Sequence, residues 1–594
     1  MTAENAPAEL LVRAREFAAD DPDEATRAEL QTLIARCEDG HPDALEELAD
    51  RFDGDLRFGT AGLRGSIGPG SNRMNRVVVM RAAWGLGRYL RDGAGGDGAL
   101  YTNGVVVGYD GRHFSRRFAE DTTAVLVGLG IPVHLFDDVQ PTPVCAFAIR
   151  HLQAAAGVVV TASHNPPQDS GFKVFLSRGS QIIPPHDGGI AACIDKAPPI
   201  AQMQRPSPFE QAQQGLRKPP GHGVISAYLE GVSSASLHPG AVAENPLCVV
   251  HTAMHGVGHR LLVRALRRAG LEGLCSVSEQ TEPDGAFPTV AFPNPEEDGA
   301  MDRAFARADE VSAELLLAND PDADRLAVGV PEGDGYRMLS GNEIGWLLGN
   351  DALEHSDVGD KEKLAVTTIV SSPLLGRIAA NNGAHFRQTL TGFKWLAQAG
   401  FEGETVGQRF VMGYEEAIGY SVGDLVRDKD GVSAAVRMVE LAAWLKGQGK
   451  TLLDQLDTIA VNHGMAVGAQ WSVRLPGATG KALIDAAMEK LRNEPPAELG
   501  GVAITTRYDV QDGSAWSAEG EADPLNLPAS NVLVLHDANG ARLIVRPSGT
   551  EPKIKFYADS IADVQGADEL ADARTEHAER LAKLRASVMA HLGL

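Results

Sequence analysis

Short apolar runs alternate along this chain with longer segments in which apolar residues recur at helical spacing. Gly104-Val105-Val106-Val107-Gly108 reads as a buried strand, residues 118–129 as a helix, and Ile131-Pro132-Val133-His134-Leu135-Phe136 as the next strand. A second such unit begins near Asn245-Pro246-Leu247-Cys248-Val249-Val250 and ends with Glu314-Leu315-Leu316-Leu317-Ala318. A third runs from about 337 to 460. The last part, from about 465, carries strands at Val532-Leu533-Val534-Leu535 and Ala541-Arg542-Leu543-Ile544-Val545, with a charged helical tail from Ala562 onward. This βαβ rhythm predicts mainly parallel sheets covered by helices. Residues 1–50, acid-rich with Leu and Ala at helical spacing, predict a helical appendage. The Pro- and Gln-rich stretch 198–220 marks a linker or a long surface loop.

At 594 residues the chain is too long for one core and calls for about three or four domains. The formal net charge of -25 argues against a nucleic-acid partner, because phosphate backbones are bound by clustered Lys and Arg. It also means that an anionic substrate approaches against the global field and must be captured by local cations. Cys37, Cys145, Cys193, Cys248 and Cys275 are scattered and without CxxC spacing. That pattern predicts neither a disulfide framework nor a thiolate metal site, and points to a reducing cytoplasm. No basic, apolar leader opens the chain and no run approaches the roughly 20 apolar residues of a membrane span.

Three times an apolar strand runs into a short polar loop: Val160 into Ser163, Ala318 into Asp320, and Val411 into Glu415. In parallel α/β sheets ligands gather outside the carboxyl ends of strands. The first loop, Thr161-Ala162-Ser163-His164-Asn165-Pro166, displays a serine in a turn stiffened by Pro166 and Pro167. It lacks the GxSxG elbow of serine hydrolases. Alone, it could also be an ordinary Asx/Pro turn. The second, Asn319-Asp320-Pro321-Asp322-Ala323-Asp324-Arg325, gathers three carboxylates that a tight loop can turn toward one point. Such a concentration of charge calls for a cation, and all-oxygen ligands select Mg²⁺ first, then Mn²⁺ or Ca²⁺. An EF-hand would need Gly and Glu where Arg325 and Pro331 stand. A dehalogenase-type nucleophile loop would need Thr or Val at Asp324, and a solvated acidic turn is the bland alternative.

The third loop, Gly413-Tyr414-Glu415-Glu416-Ala417-Ile418-Gly419, sets two carboxylates between glycines, as in sites that hold vicinal hydroxyls; a charged helix start would look similar. Arg546-Pro547-Ser548-Gly549-Thr550-Glu551-Pro552-Lys553 combines a guanidinium, hydroxyls, a close-approach glycine and a lysine, the parts of a phosphate cradle. Further cationic candidates are Arg64 in Phe58-Gly59-Thr60-Ala61-Gly62-Leu63-Arg64-Gly65, Lys173 and Lys394. His164 and His255 read as structural rather than as ligands, since an oxygen site does not call for imidazole.

In this order, from about Phe58 to Tyr557, these motifs resemble the α-D-phosphohexomutase superfamily, and their wording is most similar to its phosphoglucomutase-2/phosphopentomutase-like branch. The resemblance implies an α/β four-domain architecture: three similar mixed α/β domains and a smaller C-terminal α+β domain around a central cleft. The expected boundaries are 1–50 for the helical extension, 51–210, 222–336, 337–462 and 465–594. It implies that Ser163 is the phosphorylated serine, and that Asp320, Asp322 and Asp324, with a phosphoserine oxygen, hold one Mg²⁺. Arg64 and Lys173 would flank the serine, Lys173 as an acid/base with its pKa lowered by cationic neighbours. Arg325, Lys394 and Glu415 would face the sugar, and Arg546, Ser548, Gly549 and Thr550 its non-reacting phosphate. The implied reaction interconverts hexose 1- and 6-phosphates through a bisphosphorylated sugar that also serves as activator, glucose favoured and mannose next. Alternatives are a phosphopentomutase, a metal-dependent sugar phosphatase and a retired sugar-phosphate sensor. The expected partners are small-molecule sugar phosphates, with no nucleic acid or membrane, and a monomer or homodimer. Three departures bear on specificity: Ala417 where many members have Ser, Ser170-Gly171 for the usual Asn-Gly, and no His at Gly419 or Tyr420.

Overall fold

The computed structural model describes residues 6–59, 62–93, 100–475, 478–548 and 553–594. The chain forms two compact units, Met1–Leu339 with Ile418–Trp444, and Ser340–Ala417 with Leu445–Leu594.

The first unit opens with helices Ala6–Asp20, Glu24–Glu38 and Pro42–Arg51, which share a small core of Ala14, Leu30, Leu33, Leu48 and Phe52. Asp23 caps the second helix by accepting from the N–H groups of Ala25 and Thr26. The appendage is tied to the next domain by Arg76, which donates to the Pro22 carbonyl and, at 2.6 and 2.8 Å, to Asp121.

A six-stranded sheet follows, in the order Leu63–Ser66, Asp169–Leu176, Ala156–Val160, Val105–Tyr109, Val133–Leu135, Arg217–Lys218. The central pair, Ala156–Val160 and Val105–Tyr109, is parallel and wholly buried, as its continuous Val runs predict. Asp169–Leu176 runs antiparallel, and its register sets the chemistry: Val159 pairs with Lys173 and Gly171 with Arg64. Both cations therefore lie beside the strand end that carries Ser163. Stretch 198–220 is no loose linker. Ser207 and Glu210 form a capping box on the short helix Pro208–Gln213, and Arg217–Lys218 pairs with Val133 and His134 at the sheet edge.

The second sheet runs Gly335–Met338, Ala327–Glu332, Leu315–Ala318, Val249–Thr252, Cys275–Ser276. Ala318 pairs antiparallel with Ala327, so residues 319–326 form a closed loop between two buried strands. Segment 418–444 belongs to the same unit, and the Leu326 N–H bonds the Ile418 carbonyl at 3.0 Å.

In the second unit His385–Thr389, Lys363–Thr368 and Arg409–Glu415 run parallel. Its C-terminal part is an antiparallel sheet, Met465–Arg474, Lys553–Ala562, Arg542–Pro547, Leu533–Asp537, Val502–Asp509, Glu498–Leu499. Helices Ala478–Asn493 and Leu570–Leu592 accompany this sheet around a core that includes Trp471, Met488, Leu543, Phe556 and Leu584. Ala562 ends the last strand, so the terminal helix begins later than its charge pattern predicts. Among the described residues no helix is long and apolar enough to cross a membrane.

Candidate active site

Ser163 follows strand Ala156–Val160 in a left-handed backbone conformation, φ 53°, and is 2% exposed. Its N–H donates to Thr161 Oγ1 at 2.8 Å and its hydroxyl to Asp320 Oδ2 at 3.0 Å. His164 Nδ1 lies 3.3 Å from Ser163 Oγ. Burial, with Arg325 and Arg64 nearby, pushes that imidazole well below its ordinary range, so it is neutral. Arg64 donates to Asn165 Oδ1 at 3.2 Å.

The aspartate loop brings Asp320, Asp322 and Asp324 together, one carboxylate oxygen of each within 4.8 Å of the others, and all three are fully buried. Asp322 Oδ1 and Asp324 Oδ1 have no hydrogen-bond partner. Buried carboxylate oxygens left unpaired in an all-oxygen cluster fit a hard divalent cation. Burial and the two neighbouring carboxylates raise Asp320 well above the carboxylate range. Asp324 is held far below it: burial opposes its charge, but Lys173, Lys429 and Arg325 outweigh that.

Lys173 is buried and donates to Asp322 Oδ2 at 2.6 Å and Asp324 Oδ2 at 3.0 Å. Its expected depression is not found. Burial does lower it, yet the two aspartates raise it further, so its value lies above that of an ordinary lysine. Arg325 stands 3.9 Å from Asp320 and 3.8 Å from Asp324, and its N–H donates to Asp320 Oδ1 at 3.0 Å.

Three contributors were not read from the sequence. Lys429, in Arg427-Asp428-Lys429-Asp430-Gly431, places Nζ 3.3 Å from Asp324 Oδ2. Its stem crosses Gly419 so closely that a Cβ there would sit 2.3 Å from Lys429 Cδ. Thr142, first in helix Thr142–His151, donates its hydroxyl to Asp322 Oδ2 at 2.7 Å and its N–H to the Asp322 carbonyl at 3.0 Å. Arg112 donates to the Ser163 carbonyl at 2.6 Å. The only signal for Lys429 was the density of charge just before a glycine; Thr142 and Arg112 had none.

The second unit gathers its own polar set. Glu415 Oε1 accepts the Gly392 N–H at 2.7 Å, and Arg546 donates to the Thr391 hydroxyl. Lys394 lies in the first turn of helix Phe393–Thr405, beside Gly392. Glu416 is a different case: Ser371 Oγ donates to it at 2.9 Å, and Ser371 Oγ accepts its N–H, which ties it into the fold. The Ser548 N–H bonds the Lys553 carbonyl at 2.8 Å, whereas Gly549 and Thr550 lie outside the described residues.

Comparison with known proteins bears on the domains that carry these loops. The descriptions of phosphoglucomutase/phosphomannomutase α/β/α domains I, II and III match residues 55–200, 226–333 and 340–461, and that of the C-terminal domain matches 502–577. A Haemophilus influenzae protein named "Probable phosphomannomutase" is 42% identical over 497 residues, covering 82% of this chain and 93% of its own. A human phosphopentomutase is 38% identical over 547 residues, 88% of each. The open form of the Paramecium phosphoglucomutase parafusin shares the fold, with a TM-score of 0.66 at 17% identity over 91% of this chain and 96% of that one. With all four domains matched in order, the chain belongs to the phosphoglucomutase/phosphomannomutase family, the phosphosugar mutases of the phosphohexomutase type.

Proposed function

We propose that this mutase moves a phosphoryl group between the anomeric and the terminal hydroxyl of a hexose phosphate, glucose phosphate first, through phosphorylated Ser163. The observation that carries the reading is the hydrogen bond from Ser163 Oγ to Asp320, inside a buried triad of aspartates faced by Lys173. Asp320, Asp322 and Asp324 would hold Mg²⁺ together with an oxygen of the phosphoserine. Bound there, Mg²⁺ supplies neutralisation of the charge on the transferring group.

The chain's own residues divide the remaining work. Lys173 is protonated while it bridges Asp322 and Asp324. With those carboxylates neutralised, burial and the Lys429 ammonium would push it down, toward a group that takes the proton of the attacking hydroxyl. Arg64 and Arg325 would stabilise equatorial phosphoryl oxygens. Glu415 and Lys394 would bind the sugar, and Arg546 with Ser548, Gly549 and Thr550 the phosphate that is not reacting. A sugar bisphosphate is then both intermediate and activator. The chain would work in the cytoplasm.

Pentose phosphates form a second reading, favoured by the 38% identity to the human phosphopentomutase. Coupled assays with glucose, mannose, ribose and deoxyribose 1-phosphates, with and without bisphosphate primer, separate the two. Intact-mass analysis should find phosphate on Ser163, and Ser163→Ala should abolish turnover while leaving the fold intact. Substantial residual mutase activity in that variant, or phosphate on Asp320 instead, refutes the mechanism.

A further inference from the structure

Ser163 is held in a backbone conformation that an L-residue rarely adopts, and its loop has little regular structure to keep it there. One side chain does so instead. The Arg112 guanidinium, with a side chain wholly shielded from solvent, donates to four main-chain carbonyls of this loop. It reaches Ser163 at 2.6 Å, Pro166 at 2.8 Å, Asp169 at 3.3 Å, and Asn165. It is itself fixed from two sides. Asp110, fully buried at the end of the neighbouring strand, lies 3.3 Å from Arg112 Nε and accepts the Arg112 N–H at 3.0 Å. The buried ring of Phe287 faces the guanidinium at 4.9 Å. Asp110 also accepts the Ser115 hydroxyl at 2.6 Å, and Thr161, which holds the Ser163 N–H, bonds the same carboxylate.

Resting on the phosphoserine reading above, we propose that Arg112, fixed by Asp110 and Phe287, is the positioning residue of the phosphoryl carrier. Its guanidinium donates to main-chain carbonyls and not to the Ser163 hydroxyl. Its two terminal NH2 groups, held in a planar fork, match carbonyls converging from several directions, which a lysine ammonium on a flexible stem cannot reproduce. The clamp fixes where Ser163 Oγ stands against Asp320, and phosphoryl transfer depends on that alignment. A misplacement of 1 Å costs transfer about 100-fold without weakening sugar binding.

The test uses the full-length enzyme and four variants: Arg112→Lys, Asp110→Asn, Phe287→Leu and, as a control, Ser163→Ala. Steady-state kinetics with hexose 1-phosphate and thermal unfolding are recorded for each, and the ³¹P resonance of the phosphoserine for the three variants that keep Ser163. Arg112→Lys should lower kcat about 100-fold with KM little changed, and should shift or broaden the ³¹P resonance while the protein stays folded. If Arg112→Lys does not fold, Asp110→Asn and Phe287→Leu, which loosen the clamp without removing it, should each lower kcat about tenfold with the same change in resonance. A wild-type kcat in the folded variants overturns the proposal. So does a raised KM at unchanged kcat, which would make Arg112 a substrate ligand. An unaltered ³¹P resonance with a lowered kcat also overturns it. Should Ser163→Ala still turn over, the phosphoserine reading itself fails; if it is dead while the clamp variants are normal, only this inference falls.

Discussion

At the scale of single residues, the cluster around Ser163 shows how neighbours override residue type. Asp320 and Asp324 belong to the same loop, yet one is pushed well above the carboxylate range and the other far below it. The difference is geometry. Lys173 and Lys429 both reach Asp324 Oδ2, at 3.0 and 3.3 Å, while Asp320 receives the Ser163 hydroxyl. Removing one member of a buried charged set leaves the others uncompensated, typically at about 3 to 5 kcal/mol. Lys429→Met should therefore destabilise the protein on that order in chemical denaturation and reduce kcat more than tenfold. An active, fully stable Lys429→Met variant would show that Lys429 contributes nothing to the aspartate cluster. Ser163 and the aspartates stood out as loop chemistry in the sequence, and Arg64 only through the family resemblance. Lys429 was not, because nothing local ties it to Asp324.

At the scale of elements, sheet register decides which motifs meet. Strand Asp169–Leu176 lies between Leu63–Ser66 and Ala156–Val160, and Gly171 is where the three backbones crowd. A Cβ on Gly171 would lie 2.5 Å from the Thr161 carbonyl oxygen and 2.9 Å from that of Leu63. Main-chain atoms in a sheet cannot yield cheaply, so Gly171→Ala should cost about 2 kcal/mol or more and lower kcat through the displaced Lys173. Differential scanning calorimetry with a kinetic assay checks both effects. The parallel strands were readable as apolar runs. Their antiparallel neighbour, which carries Lys173 and pairs with the strand that carries Arg64, was not, because pairing partners are chosen across the chain and not along it.

The strand Val249–Thr252 adds a pH dependence. His251 is fully buried, and burial with His259 beside it pushes its pKa down to about 3. Its folded value lies below its unfolded value of 6.5. The stability it contributes is thus complete above about pH 6.5 and is lost as pH falls toward 3, up to about 4 kcal/mol. Urea unfolding across that window should show the slope, and His251→Gln should flatten it. An equal slope in both proteins would assign the acid sensitivity elsewhere.

For the molecule as a whole, the candidate residues fall in both units: Ser163, Lys173, Lys429 and the three aspartates in one, Glu415, Lys394 and Arg546 in the other. A cation held by the aspartates would stabilise the folded first unit, which contains all three. At a hundredfold excess over Kd, Mg²⁺ should add about 2.7 kcal/mol to that unit's stability, seen as an upward shift of its calorimetric transition. Asp322→Asn with Asp324→Asn should abolish the shift, and chelation of Mg²⁺ should abolish turnover. A shift that persists in the double variant would place the ion elsewhere. The sequence by itself determined the α/β class, the order of the loops and the residue types they present, because those follow from local periodicity and side-chain chemistry. It could not determine the Arg112 clamp, the Thr142 and Lys429 contacts or the protonation of Lys173. These depend on desolvation and on distances between residues far apart in the chain, and only the folded structure sets them.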